Sequence, residues 1–185
     1  HTRCFEVSWV GDVYKRQGEG LEGKLFLTAG LGGMSGAQPK AANIAGCISV
    51  TAEINPKVIH TRHSQGWVDE VISDLDFLCQ RITQAKRINE VVSIAYLGNI
   101  VDVWEKFDQQ NIFIDLGSDQ TSLHNPWAGG YYPLGLSYED ANEMMVNNPE
   151  NFKIKIQETL RRHVNSINTH TSRGTYFFDY GNAFL

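Results

Sequence analysis

The run Lys24-Leu25-Phe26-Leu27-Thr28-Ala29, apolar at all but Lys24 and Thr28, passes directly into Gly30-Leu31-Gly32-Gly33-Met34-Ser35-Gly36-Ala37-Gln38. A short, largely apolar run bounded by glycine reads as a buried strand. Glycines at its end let backbone N–H groups approach an anion, and a helix start just beyond adds favourable partial charge. The match to GxGxxG is imperfect. Counted from Gly30, the last glycine position holds Ser35, and Gly36 follows one residue late. A tight strand-to-helix turn with no ligand is the plainer reading of the same loop. Glu53 sharpens the choice, because it ends the next β-rich run, Cys47 to Ile54, twenty positions after Gly33. A carboxylate there suits the ribose hydroxyls of a dinucleotide and repels a 2′-phosphate. Read alone, it is a solvated strand-end charge.

Further along, strand-like and helical patterns alternate. Pro39 opens a short helix, Gln38 to Ala45, that Gly46 ends. A brief helix is expected over Lys57 to Ser64 and a short strand over Trp67 to Ile72. Asp74 caps a helix to about Ile88 whose apolar stripe is Leu75, Leu78, Cys79, Ile82 and Ala85. Val91 to Leu97 reads as a strand, Ile100 to Phe107 as a helix, Ile112 to Leu116 as a strand, and 117–135 as a loop. Ser137 caps a helix through Val146. Pro149 starts a longer one, with Phe152, Ile156, Leu160, His163 and Ile167 on one side and Gly174 just past its end. Thr175 to Asp179 is the last strand. Strands separated by helical stretches predict a Rossmann-like, doubly wound α/β domain, its sheet mostly parallel, with helices on both faces. Ligands of such sheets sit beyond the C-terminal strand ends. These ends are 30–36, Glu53, Gly98-Asn99, 117–124 and 180–182. Asp115, Asp119 and Asp179 are expected there as polar anchors.

Composition bounds the rest. The chain has 185 residues and a net charge of -5, with no basic cluster to hold a nucleic acid. No apolar run reaches the length of a membrane span. Cys4, Cys47 and Cys79 are widely spaced and form no CxxC pair, so they read as buried thiols in a reducing cytoplasm rather than metal ligands. His124 can be a base or a ligand, but a hydrogen-bonded loop histidine is the simpler reading. Residues 1–17 join no periodic pattern and are expected to be a non-native lead-in to a domain spanning 18–185.

Three motifs then stand together: the glycine loop 30–38, Ser118-Asp119-Gln120-Thr121-Ser122-Leu123-His124, and Phe178-Asp179-Tyr180-Gly181-Asn182. In order and spacing they resemble the urocanase family, over about Leu21 to Leu185. The resemblance implies tight NAD binding and the addition of water to urocanate, giving 4-imidazolone-5-propanoate in histidine degradation. It also implies that NAD serves as an electrophile without net redox change. Carried over motif by motif, the cofactor contacts are Gly33, Met34, Ser35, Glu53, Gly98, Asn99, Gln120, Thr121, Ser122, Leu123, His124, Tyr131, Tyr132 and Tyr180. The Arg that some relatives carry shortly after the acid has no counterpart in Ile54-Asn55-Pro56-Lys57-Val58. The family's catalytic Cys is expected beyond Leu185, which makes the chain alone inactive. A homodimer is implied for the whole protein. An NAD-dependent dehydrogenase, or a non-enzymatic dinucleotide module, would suit the glycine loop and Glu53 equally well.

Overall fold

The computed structural model describes residues 20–33, 35–119 and 125–179. Its strands are β1 (Leu25–Ala29), β2 (Ile48–Glu53), β3 (Glu70–Ile72), β4 (Val92–Leu97), β5 (Leu116–Asp119) and β6 (Tyr176–Asp179). They form one sheet in the order β3-β4-β2-β1-β5-β6, every pairing parallel. The helices are α1 (Gln38–Ala45), α2 (Pro56–Ser64), α3 (Leu75–Ile88), α4 (Ile100–Gln109), α5 (Tyr138–Asn147) and α6 (Pro149–Ser172). The domain is Rossmann-like, as the alternating pattern predicts. From β1 the chain moves to β2 at its side, passes to β3 at that edge, returns with β4 into the place between β2 and β3, and then crosses to β5 and β6 on the other side of β1. The order therefore reverses beside β1, and that reversal opens a crevice at the strand ends.

Side-chain alternation in the central strands splits the core. Leu25, Leu27, Ile48, Val50, Val92 and Ile94 face α3, α4 and Ile167 of α6. Phe26, Leu116 and Phe178 face Ala42 of α1, while Ala95 packs with Leu31 and Ile59 of α2. Helix starts follow the expected chemistry. The Asp74 carboxylate accepts the Phe77 N–H at 2.7 Å, and the Ser137 hydroxyl accepts that of Asp140 at 3.0 Å. Gly46, at φ +86°, ends α1 in the left-handed conformation that glycine adopts without strain. Cys47 and Cys79 are buried free thiols, as expected, and burial pushes Cys47 up to about 12.

The fifth strand departs from the sequence reading. Ile112 to Leu116 carries the apolar residues, but the ladder runs over Leu116–Asp119. Asn111, at φ +53°, turns the chain at the end of α4, and the Ile112 N–H returns to the Phe107 carbonyl at 2.9 Å. Ile112 and Ile114 thus fill the core below the helix end instead of pairing in the sheet. Within the strand, position 117 needs glycine, because a Cβ there would lie 2.5 Å from the Trp104 ring. Asp115 also lies away from its expected place at the C-terminal strand ends. It sits where β5 enters the sheet, opposite the strand ends, accepting the Leu25 N–H at 2.9 Å and meeting Lys86 at 3.0 Å and Lys24 at 3.5 Å.

Candidate functional site

The loops after β1, β2 and β4 converge on a cleft of about 230 Å³, closed on one side by 129–132. Gly30 leaves β1 at φ +89°, a conformation suited to glycine, and its N–H is tied to the Ala52 carbonyl of β2 at 2.8 Å. A Cβ on Gly30 would come within 2.9 Å of the Ser35 hydroxyl, so the turn closes tightly on itself. Gly33 is exposed, and a Cβ there would meet nothing within 4 Å among the described residues. Gln38, the first residue of α1, has both carboxamide atoms buried and without a hydrogen-bond partner among the described residues.

Glu53 reaches back across this turn. One carboxylate oxygen accepts the Leu31 N–H and the other the Asn55 N–H, both at 2.9 Å. Each oxygen keeps acceptor capacity for a further donor. At the next strand end, a Cβ on Gly98 would strike the Tyr96 ring at 2.5 Å, which requires glycine there. Asn99 divides its amide. The oxygen caps α4 through the Val101 N–H at 3.0 Å, and the nitrogen donates to the Tyr132 carbonyl at 2.9 Å. That second bond holds the 129–132 wall against the β4 end.

Behind the wall lies a buried polar cluster. The Tyr131 hydroxyl is 3.0 Å from Nδ1 of His163, and Asp119 Oδ2 is 3.6 Å from the same nitrogen. Burial pulls His163 down to about 3, so its ring is neutral at ordinary pH and the approach to Asp119 is not a charged pair. Burial likewise raises Tyr131 well above its usual value. Tyr132 is raised to about 12, first by burial and then by Tyr138. Its hydroxyl donates to Asn142 at 3.3 Å.

Of the residues expected at the site, Ser35, Glu53, Gly98, Asn99, Tyr131 and Tyr132 line this one cleft. Gly33 lies on the loop just outside its lining. Met34, Gln120, Thr121, Ser122, Leu123, His124 and Tyr180 lie outside the described residues. A family model described as the urocanase Rossmann-like domain matches residues 8–185. The chain belongs to the urocanase family. It is 54% identical over 168 residues to the protein named "Probable urocanate hydratase" of Dictyostelium discoideum and 51% identical over 168 residues to that of Caenorhabditis elegans. It is 51% identical over 172 residues to urocanate hydratase of Mus musculus. Each alignment covers 90% of this chain and 25% of the relative, so the chain spans about a quarter of their length.

Three residues around this cleft escape sequence reasoning. His163 is recognisable only as one apolar-face position of a long helix. Gln38 reads as an ordinary first-turn residue. Arg62 lies one helical turn beyond Val58, the last residue of the stretch that lacks the family's Arg, and it reaches the glycine loop from α2. No local motif marks a side chain that acts through another segment's carbonyls.

Proposed function

We propose that this chain supplies the NAD-binding part of a urocanate hydratase, which adds water to urocanate to give 4-imidazolone-5-propanoate in histidine degradation. The observation that carries the reading is the meeting of the glycine loop, Glu53 and Gly98 at three adjacent parallel strand ends, in a chain of the urocanase family. The donor set fits a dinucleotide. Gly33 presents an unobstructed backbone, Ser35 adds a hydroxyl, and Gln38 adds carboxamide atoms otherwise unmatched. In this reading the loop N–H groups of 32–35 receive the pyrophosphate. Glu53 accepts ribose hydroxyls and, as an anion, disfavours a 2′-phosphate. Gly98, Asn99, Tyr131 and Tyr132 form the wall that orients the cofactor and excludes water. Met34, Gln120 to His124 and Tyr180 complete the contacts by motif. NAD bound there would supply an electron sink for the imidazole of urocanate.

The whole protein is proposed to act in the cytoplasm as a homodimer, without a membrane or nucleic-acid partner. The deciding experiment adds urocanate to a full-length protein carrying this sequence, purified with its cofactor. Loss of urocanate's ultraviolet absorbance is expected, with no reduced nicotinamide formed. Retained urocanate in a protein that holds NAD would overturn the reading. Hydride transfer to the nicotinamide would favour a dehydrogenase instead.

A further inference from the structure

We propose that Arg62 is the positioning residue of the glycine loop, and that position 36 is glycine so that the Arg62 guanidinium can pass. The proposal rests on the reading of this cleft as a dinucleotide site. The guanidinium of Arg62 is held on all sides. Nε donates to the Leu31 carbonyl at 2.9 Å and Nη2 to the Gly32 carbonyl at 2.6 Å. Nη1 donates to Gln65 Oε1 at 2.9 Å, and the Trp67 ring centroid lies 4.7 Å from Cζ. Two successive carbonyls of the loop are therefore drawn to one planar fork, a geometry that a lysine ammonium does not reproduce.

In a trans peptide the N–H points opposite to its carbonyl. Drawing the Leu31 and Gly32 carbonyls to Arg62 turns the N–H groups of Gly32 and Gly33 away from it. Gly32 also lines the cleft. The side chain thus fixes the donor direction an anion would need, and places a positive charge behind the loop without itself occupying the cleft. Gly36 completes the arrangement. A Cβ on Gly36 would collide with Nε of Arg62 and lie 2.7 Å from its Cζ and 2.7 Å from its Nη2. Gly36 has no left-handed backbone that would require glycine. Its lack of a side chain is explained by the guanidinium, and so is its offset from the GxGxxG pattern: it is not a phosphate-approach glycine.

The test uses a full-length protein carrying this sequence, with Arg62→Ala, Arg62→Lys, Gly36→Ala and the double variant Gly36→Ala/Arg62→Ala. NAD affinity is read by calorimetry. Hydrogen exchange of the Gly36 amide, which donates to the Gly32 carbonyl at 3.0 Å, reads loop order without cofactor. Thermal midpoints show that each variant is folded. Arg62→Ala is expected to weaken NAD about ten- to hundred-fold and to speed Gly36 exchange. Arg62→Lys recovers little of either. Gly36→Ala weakens NAD in the same direction but adds no further loss in the Arg62→Ala background. Variants that bind NAD like the parent, with unchanged Gly36 exchange, would overturn the clamp. An additive loss in the double variant would overturn the role given to Gly36. A parent that binds no NAD, while Arg62→Ala still loosens the loop, would overturn the cofactor reading and support the clamp.

Discussion

Glu53 holds the Leu31 and Asn55 N–H groups as well as facing the cleft, so removing it acts on the protein before any ligand is added. Glu53→Ala is expected to cost about 1–3 kcal/mol of stability through those two orphaned donors. It should also weaken NAD and narrow its preference over NADP. A variant with unchanged stability and cofactor selectivity would reduce Glu53 to a surface charge. Gly33→Val offers the cleaner separation. Among the described residues nothing lies within 4 Å of the added Cβ, so stability should stay within about 0.5 kcal/mol of the parent while NAD binding falls. Retained affinity would remove the loop from the phosphate role. His163 makes a prediction about pH. Its folded value of about 3 lies below the ordinary ~6.5, so the unfolded chain takes up a proton that the folded chain refuses. The contribution is fully present above about pH 6.5 and is lost as pH falls towards 3. His170, shifted down by burial, acts in the same sense. The thermal midpoint of the parent should therefore drop further between about pH 7 and pH 5 than that of His163→Gln. Equal drops would show that His163 does not govern this limb.

Elements with a capping residue and a regular apolar stripe are legible from the chain alone. The expected stripe of α3 contains Leu78, Cys79, Ile82 and Ala85, and these four are the residues α3 buries. The expected side of α6 is likewise inward at Phe152, Ile156, His163 and Ile167. β5 was not legible, because apolarity and strand pairing separate there. Ile112 and Ile114 are drawn into the core by the turn after α4, while the paired residues include Gly117 and Ser118, whose composition reads as loop. The Ser118 hydroxyl is matched by that of Thr28 at 2.9 Å, which lets a polar residue sit in a buried strand. Gly117→Ala tests why the strand tolerates glycine. The new methyl would meet Trp104 at 2.5 Å and Phe177 at 3.1 Å, so a loss of about 1–3 kcal/mol is expected from overpacking. Chemical denaturation that places the variant at the parent's stability would show that the rings give way freely. The strand ends themselves were legible at Gly30, Glu53 and Gly98, since each combines a β-rich run with a polar or glycine break. Arg62 was not, because its partners are backbone carbonyls in another segment.

At the scale of the molecule, the parallel architecture follows from alternating elements, but the position of β3 does not. It lies at the outer edge beside β4, fastened by Arg81, which bridges Glu70 and Glu90 at 2.7 Å each. The described residues enclose a cleft of about 230 Å³, smaller than the ~300–1,000 Å³ of sites that enclose a drug-sized ligand. The isolated chain is therefore expected to bind NAD more weakly than a full-length protein carrying it, and to show no hydration of urocanate. Calorimetry on both forms checks the first expectation, and equal affinity would mean these residues suffice. The order of the sheet has a different kind of outcome during synthesis. β1 is the first described strand to leave the ribosome, yet one of its two neighbours is β5, with Thr28 and Ser118 separated by 90 positions. β2, β3 and β4 can assemble beside β1 as they emerge, leaving Leu25–Ala29 with one unpaired edge until Leu116 arrives. A nascent chain stalled between α4 and β5 would thus display the unpaired edge of a largely apolar strand at the middle of the eventual sheet, the surface on which chaperone capture or mispairing would act.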